Sequence, residues 1–148
     1  MYTPLTNPAF LVQEDHGVWA PAAHQRVIAK LTTGLGILYY RERKISLEPL
    51  PETMLDEGKA SPVPDLSLVD NEAAQTPVII EVCHTKGLKE DLKKVITLID
   101  DALYGIQEGF VYDYRTGQWL RYRLGDGGAA TPDSYSDVLG LDLNDFVA

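Results

Sequence analysis

Hydrophobic residues recur at spacings of three and four along one long segment, GLKEDLKKVITLIDDALYGI, from Gly87 to Ile106. Such spacing places apolar side chains on one face of an α-helix. The repeated positions are Leu88, Leu92, Val95, Ile96, Ile99, Leu103 and Ile106. The pattern therefore predicts a long amphipathic helix from Gly87 to Ile106.

An earlier helix is predicted in PAAHQRVIAKLTTG. Its apolar residues Ala23, Val27, Ile28 and Leu31 form one stripe, with Pro21 near the first turn and Gly34 at the position of a C-terminal cap. Residues 1–19 show no clear period and contain two prolines, so an irregular lead-in is expected there.

The segment after this helix, ILYYRERKISLEPL at positions 37–50, is rich in aromatic and β-branched residues. Such residues favour the extended conformation, and prolines interrupt a strand. The composition predicts one or two strands that end at Pro49 and Pro51.

Two apolar strands joined by a polar loop follow in PVPDLSLVDNEAAQTPVIIEVCHTKG, from Pro62 to Gly87. The second strand, PVIIEVC, is apolar almost throughout, which is typical of a central strand covered on both faces. If the loop is centred on Ala73, residues equally far from it on either side pair in an antiparallel hairpin. Asp65 then lies opposite Glu81.

A second hairpin is predicted from GFVYDY and QWLRYRL, with Gly117 suited to the left-handed turn position. The glycine-rich segment GDGGAATPD is expected to be a loop, and the tail SYSDVLGLDLNDFVA to dock on the core as a short strand or helical turn. The order of elements predicts an α/β fold, with helices packed around one mixed sheet. A chain of 148 residues fits a single domain over 1–148.

The acidic balance of the chain limits its partners. Lys and Arg total 13 against 22 Asp and Glu, a formal net charge of -9, which as a whole repels polyanions. Any contact with DNA must therefore use local basic patches. One candidate patch contains Arg41, Arg43 and Lys44, and a second contains Arg115, Arg121 and Arg123, although the last two fit the solvated face of an edge strand equally well.

Targeting features are absent from the sequence pattern. Cys83 is the only cysteine, which excludes an internal disulfide and suits a reducing cytoplasm. The start, MYTPLTNPAF, does not resemble a signal peptide, and no apolar run approaches the ~20 residues of a membrane span. A cytoplasmic protein without membrane contact is expected. Neither GxxxxGK[ST] nor GxGxxG after a strand is present, which disfavours nucleotide hydrolysis.

The opposed carboxylates Asp65 and Glu81 raise a question of charge. Directly opposed residues have Cβ atoms about 5 Å apart, and like charges at that spacing destabilise the pair. A divalent cation such as Mg²⁺ offsets the repulsion because it accepts converging oxygen ligands. Protonation of one carboxylate offsets it too, and so does solvation or pairing with lysines.

Several of these residues resemble the PD-(D/E)XK nuclease signature: Pro64-Asp65 at the head of one strand and Glu81-Val82-Cys83 late in the next. More specifically, the chain resembles the Uma-two family of that superfamily. Further similar features are His24 in PAAHQRVIAKL, Asp91-Leu92, the segments GIQEGFVYD and SDVLGLDLNDF, and their order along the chain. The resemblance implies a restriction-endonuclease-like core built from a helix, three strands, a helix and a further strand.

The resemblance also implies a site and an activity. Asp65, Glu81 and the Val82 carbonyl would bind Mg²⁺, with Mn²⁺ as an alternative, for hydrolysis of DNA phosphodiester bonds. Cys83 occupies the lysine position of the motif and cannot supply a cation. The family takes a lysine from the following helix instead, but the corresponding position here is Val95, with Lys93 and Lys94 just before it. Lys94 is the candidate, since it lies nearer the Asp91 flank than Lys93 does.

Alternatives to this interpretation stay open. Lys93 and Lys94 fit a solvated helix face, and His24 fits either a hydrogen-bonded structural role or a contact to the site or to phosphate. Glu48 fits a further ligand or a salt bridge with a lysine. The whole chain also fits a catalytically inactive member of the fold that serves as a binding or assembly module. A homodimer is compatible with cutting two strands of a duplex.

Overall fold

A computed structural model describes residues 21–56 and 61–148. The helices are α1 (Ala22–Gly36) and α2 (Leu88–Asp100). The strands are β1 (Glu48–Pro51), β2 (Leu66–Asp70), β3 (Gln75–Cys83), β4 (Glu108–Asp113), β5 (Gln118–Arg123), β6 (Tyr135–Ser136) and β7 (Leu141–Asp142). The predicted lead-in at 1–19 lies outside the described residues.

The first five strands form one mixed sheet in the order β1-β2-β3-β4-β5. The β3–β4 pair is parallel and is connected through α2, whereas the other three pairs are antiparallel. Strand β3 lies in the middle of the sheet and is buried from Thr76 to Cys83, as its continuous apolar run predicts. Leu66 pairs with Ile80 and Leu68 with Val78, so the register centred on Ala73 is confirmed.

Each face of the sheet carries one helix and one hydrophobic cluster. On one face Ile28, Leu31 and Leu35 of α1 pack against even-numbered residues of β2, β3 and β4. On the other face Val95 and Ile99 of α2 pack against Ile79, Cys83, Val111 and Tyr122. The alternation of side chains along a strand explains the division, since consecutive residues of β3 point to opposite faces. The predicted α/β architecture is confirmed.

The prediction of strands directly after the first helix is wrong for its first part. The helix runs on through Gly36 into a π-helical segment, Ile37–Arg41, and only Glu48–Pro51 is extended, at the edge of the sheet. Gly34 is not a cap. A Cβ built at Gly34 would lie 2.2 Å from the Phe146 ring, so this glycine serves close packing of the tail against α1.

The predicted end of the long helix is also wrong. Helix α2 ends at Asp100, and Ala102 has a left-handed backbone with φ of 54°. Leu103 is 71% exposed, whereas Ile106 is buried in the segment that leads into β4. The apolar spacing of three and four thus continues past the end of the helix, although Leu103 and Ile106 lie outside it and in different environments.

The tail docks on the core as predicted. Strands β6 and β7 form a small antiparallel pair, and a 3₁₀ turn follows at Leu143–Phe146. Trp119 Nε1 donates a hydrogen bond of 3.0 Å to Asn144 Oδ1, which ties this turn to β5. Within the described ranges, no helix combines the length and apolar character needed to cross a bilayer.

Candidate functional site

Asp65 and Glu81 meet at one end of the sheet. Glu81 lies near the end of β3, and Asp65 immediately precedes β2. The Asp65 backbone N–H donates to Glu81 Oε1 at 3.0 Å, and the Val82 N–H donates to Asp65 Oδ2 at 2.8 Å. The two carboxylates are thus held next to each other by the backbone, as the predicted register requires.

The Val82 carbonyl points towards a proline. Continuing the observed register by two residues places Pro64 opposite Val82. In an antiparallel pair, residues that exchange backbone hydrogen bonds alternate with residues that do not. The Asp65 carbonyl accepts from the N–H of Glu52, which follows β1, so the backbone of Asp65 faces β1. The backbone groups of its neighbours Leu66 and Pro64 therefore face β3. Pro64 has no N–H to donate. The Val82 oxygen therefore lacks its usual ladder donor, and it faces the His24 ring instead, where it helps to raise the pKa of His24.

Glu81 carries an electrostatic penalty. The residue is 8% exposed, and burial raises the pKa of its carboxyl to about 7, with a further rise from the Asp65 charge. The Asp65 N–H and the Lys94 ammonium act in the opposite direction. Near neutral pH, a proton or a bound cation is needed to offset the cost of burying the charged Glu81 carboxylate beside Asp65.

His24, in the first turn of α1, contacts the same site. Its Nε2 lies 3.3 Å from Asp65 Oδ2, and its Nδ1 lies 2.8 Å from Gln25 Oε1. Both ring nitrogens face acceptors, so the doubly protonated imidazolium is favoured. The hydrogen bond with Asp65 is the main reason that the pKa of His24 rises to about 9. A contact of His24 with the site was one of the alternatives that the sequence left open, but its partner could not be named, because His24 and Asp65 are 41 residues apart.

His24→Gln is expected to lower the free energy of unfolding at pH 6 but not at pH 10. A histidine whose folded pKa is about 9 rather than 6.5 contributes stability that is complete below pH 6.5 and is lost as pH rises through 9. Screening by solvent limits the effect to about 1 kcal/mol. Urea unfolding at the two pH values measures it. In an Asp65→Asn background the same substitution should have little effect, and an equal loss at both pH values would contradict the pairing.

The first two turns of α2 place Asp91 and Lys94 at the site. Lys94 Nζ lies 3.7 Å from Asp91 Oδ1, and burial raises the pKa of the half-buried Asp91 carboxyl. Lys94 also shares a small cavity of about 80 Å³ with Glu81, whereas Lys93 does not line it. The structure thus places the predicted Lys94, and not Lys93, beside the buried carboxylate.

The acidic groups do not form a large cluster. Among residues 21–56 and 61–148, no three His, Cys, Asp or Glu side chains are arranged so that they could together hold a metal ion. Any cation bound here would therefore take two carboxylates, a backbone carbonyl and water. Such a ligand set suits Mg²⁺, which usually keeps several waters.

Two predicted groups lie elsewhere. Glu48 pairs with Val69 at the other end of β2, where its carboxylate accepts from the Tyr40 hydroxyl and from Asn71 Nδ2, so it is neither a ligand of this site nor paired with a lysine. Cys83 is buried, and burial raises the pKa of its thiol to about 12. Cys83 therefore packs as a small apolar residue in the core cluster beneath α2.

The predicted basic patch on β5 is largely neutralised by acids. Arg121 pairs with Asp133 at 2.5 Å, and Arg123 pairs with Asp137 at 2.6 Å and with Glu108 at 3.4 Å. These two arginines hold the loop and tail to the sheet, which leaves little unpaired charge for a phosphate, and DNA contact by this patch stays a prediction. The acids come from segments whose docking could not be derived from the sequence pattern.

The other predicted patch is exposed but distant. Arg41, Arg43 and Lys44 follow the C-terminal end of α1, whereas His24 lies in its first turn. At 1.5 Å per residue, Arg41 is roughly 25 Å from His24 along the helix axis.

Comparisons with known proteins support the architecture. No family model and no curated protein sequence matches the chain. A crystal structure of a "putative nuclease belonging to DUF820" from Anabaena variabilis ATCC 29413 aligns with a TM-score of 0.65 and 15% identity, over 86% of this chain and 82% of that one. The type IIG restriction endonuclease BpuSI aligns with a TM-score of 0.50 and 11% identity, over 74% of this chain and 13% of that one.

These likenesses show the fold. The predicted restriction-endonuclease-like core, a mixed sheet flanked by helices, is confirmed by both neighbours. This chain corresponds to only a small part of BpuSI. Identities this low carry no residue roles from one chain to another, so membership of the Uma-two family stays a prediction.

Proposed function

We propose that this chain is a divalent-cation-dependent nuclease that hydrolyses phosphodiester bonds in DNA. The observation that carries the proposal is the meeting of Asp65 and Glu81 at one end of the sheet, with Lys94 beside the same cavity. Two adjacent acids, with a lysine that shares a cavity with one of them, supply the kinds of group that phosphodiester hydrolysis needs. The fold neighbours named as nucleases support the same class of reaction.

The residues present fit a Mg²⁺ or Mn²⁺ ion. Asp65 Oδ2 and Glu81 Oε1 already accept backbone N–H groups, so Asp65 Oδ1 and Glu81 Oε2 are the carboxylate oxygens for a cation. The Val82 carbonyl would be a third ligand only if it turned from the His24 ring that it now faces. The backbone hydrogen bonds orient both carboxylates in advance. When bound, such an ion polarises the phosphodiester and makes a bound water more acidic.

Three side chains of the protein would support the reaction. The Lys94 side chain is 66% exposed and its ion pair with Asp91 is long, so its ammonium is able to turn towards a phosphate and stabilise the charge that builds up during attack by water. His24 fixes the orientation of Asp65 through Oδ2. Burial of Glu81 keeps its carboxyl partly protonated until a cation replaces the proton.

A second candidate is a catalytically inactive module that uses this fold for binding or assembly. Two observations favour it. Among the described residues no three side chains could together hold a metal ion, and protonation alone can neutralise the buried Glu81 carboxylate. This alternative predicts no affinity for Mg²⁺ or Mn²⁺. A homodimer stays a prediction under either function.

Mg²⁺ is expected to raise the melting temperature of the wild-type protein and to permit plasmid nicking, because an ion that binds only the folded state stabilises it. EDTA should abolish both effects. Scanning fluorimetry and an agarose-gel assay with 10 mM Mg²⁺ or Mn²⁺, on the order of cation concentrations that saturate weak sites, measure them. Asp65→Asn is the matched control. Equal nicking by both proteins would indicate a contaminant, and a thermal shift that persists in Asp65→Asn would place the ion elsewhere.

A further inference from the structure

A groove leaves the candidate site along one face of α2. The small cavity beside Glu81 adjoins a larger one of about 430 Å³. The two share Pro62, Lys94 and Leu98, and the larger is also lined by Glu90, Lys93 and Thr97. One continuous depression therefore connects Glu81 with the middle of the helix.

This part of the chain is locally basic. The segment 86–94 contains four lysines and two acids, a net charge of +2 within a chain of net charge -9. The lysines are Lys86, Lys89, Lys93 and Lys94. Among the described residues, the arginines of β5 are paired with acids and the other predicted patch is remote. The first turns of α2 thus attract phosphate at the place where the site opens.

The lining of the groove combines two kinds of surface. Lys93 and Lys94 are exposed along its rim, whereas Pro62 and Leu98 provide an apolar floor. Consecutive helix positions differ by 100°, so the two lysines point in different directions. Lys94 reaches the cavity of Glu81, and Lys93 reaches only the larger one.

We infer that this groove, defined by Pro62, Lys93, Lys94, Thr97 and Leu98, holds the DNA strand next to the bond that is cut. Lys94 serves the reacting phosphate, Lys93 contacts a neighbouring phosphate of the same strand, and the apolar floor contacts the intervening sugar. Glu90, which also lines the groove, repels phosphate and limits the contact to a short stretch of backbone. Contacts of this kind carry no sequence information. The inference rests on the proposed nuclease function and assigns its substrate path.

Lys93→Gln is expected to weaken DNA binding without changing the catalytic step. One lost phosphate contact lowers affinity roughly fivefold at low salt and reduces the slope of log K against log salt by about one. Fluorescence anisotropy with a labelled duplex, in an Asp65→Asn background that prevents cutting, measures both quantities. In the cutting protein the same change should raise KM and leave kcat unaltered.

Matched controls separate a specific path from general charge. Lys30→Gln removes an exposed lysine of α1 and should leave affinity unchanged. Thr97→Glu adds a charge within the groove and should weaken binding more than Thr33→Glu, which adds the same charge to an exposed position of α1. Equal effects within each pair would overturn the groove assignment.

The outcomes also separate the two proposals. Loss of binding in Lys93→Gln, together with a wild-type protein that never cuts, would retain the groove and reject the nuclease. Normal cutting, with KM and affinity unaffected by Lys93→Gln, would retain the nuclease and reject the groove.

Discussion

Glu81→Gln is expected to stabilise the fold by about 3 kcal/mol at pH 8 and to abolish cation-dependent cleavage. Burial first, and the Asp65 charge second, raise the pKa of Glu81 from 4.5 to about 7. Between these values the folded state holds a proton that the unfolded chain has released, so stability falls as pH rises, and the whole penalty is present above pH 7. Glutamine removes the charge but keeps an acceptor for the Asp65 N–H.

Urea unfolding at pH 8 and pH 4 measures the stability effect, which should be large at the higher pH and small at the lower. Glu108→Gln provides a matched control, since Glu108 is also buried but accepts from Ser136 Oγ at 2.6 Å and from the Asp137 N–H at 2.8 Å. Removing a satisfied buried charge should destabilise by about 2 kcal/mol. If Glu81→Gln also destabilises the protein at pH 8, as Glu108→Gln should, then the repulsion at Glu81 is already offset within the protein. The electrostatic argument for a cation then fails.

The cleavage effect has the same physical origin as the stability effect. The Glu81 carboxylate is costly to hold in its charged form, and a bound cation would remove that cost, so cation binding would be coupled to folding stability. The expected loss of cleavage is on the order of 10³-fold, comparable to the removal of a central electrostatic contributor to a transition state. Mg²⁺ should therefore stabilise the wild type and leave the melting temperature of Glu81→Gln unchanged.

The two-residue period of strands made much of the sheet predictable. The register of the β2–β3 hairpin follows from its loop centre, and it alone brings Asp65 to Glu81. Helical signals were less decisive. The aromatic run after α1 has high strand propensity, yet the structure continues it as a helical turn in which Tyr39 and Tyr40 pack edge to face. Tertiary contacts override such propensities.

The chemistry of the site was predictable only where it follows from local pairing. Acids on adjacent strands are a property of the hairpin, whereas the contact of His24 with Asp65 depends on how α1 docks against the sheet. The same holds for Arg121 and Arg123, whose acidic partners come from the loop and the tail. Sequence spacing cannot reveal contacts that only docking of distant segments creates.

Gly109→Ala is expected to cost about 2–3 kcal/mol of stability because β4 and α2 approach too closely for a methyl group. A Cβ at Gly109 would lie 2.3 Å from Val95 Cγ1 and 3.0 Å from Ile99 Cδ1, both in the rigid core below the site. Gly36→Ala is the matched control, because Gly36 is helical and its nearest neighbour would be 3.6 Å away. That change should stabilise by about 0.5–1 kcal/mol.

The close approach can be tested further with a double-mutant cycle. Val95→Ala removes the atom that a Cβ at Gly109 would meet, so Gly109→Ala should cost much less in that background than in the wild type. Urea unfolding of the four proteins measures the coupling. Since α2 also carries Asp91 and Lys94, Gly109→Ala should displace Lys94 from Glu81 and lower cleavage beyond the stability loss. Additive costs in the cycle would show that the helix moves away from the sheet freely, and Lys94 would then have no fixed position to act from.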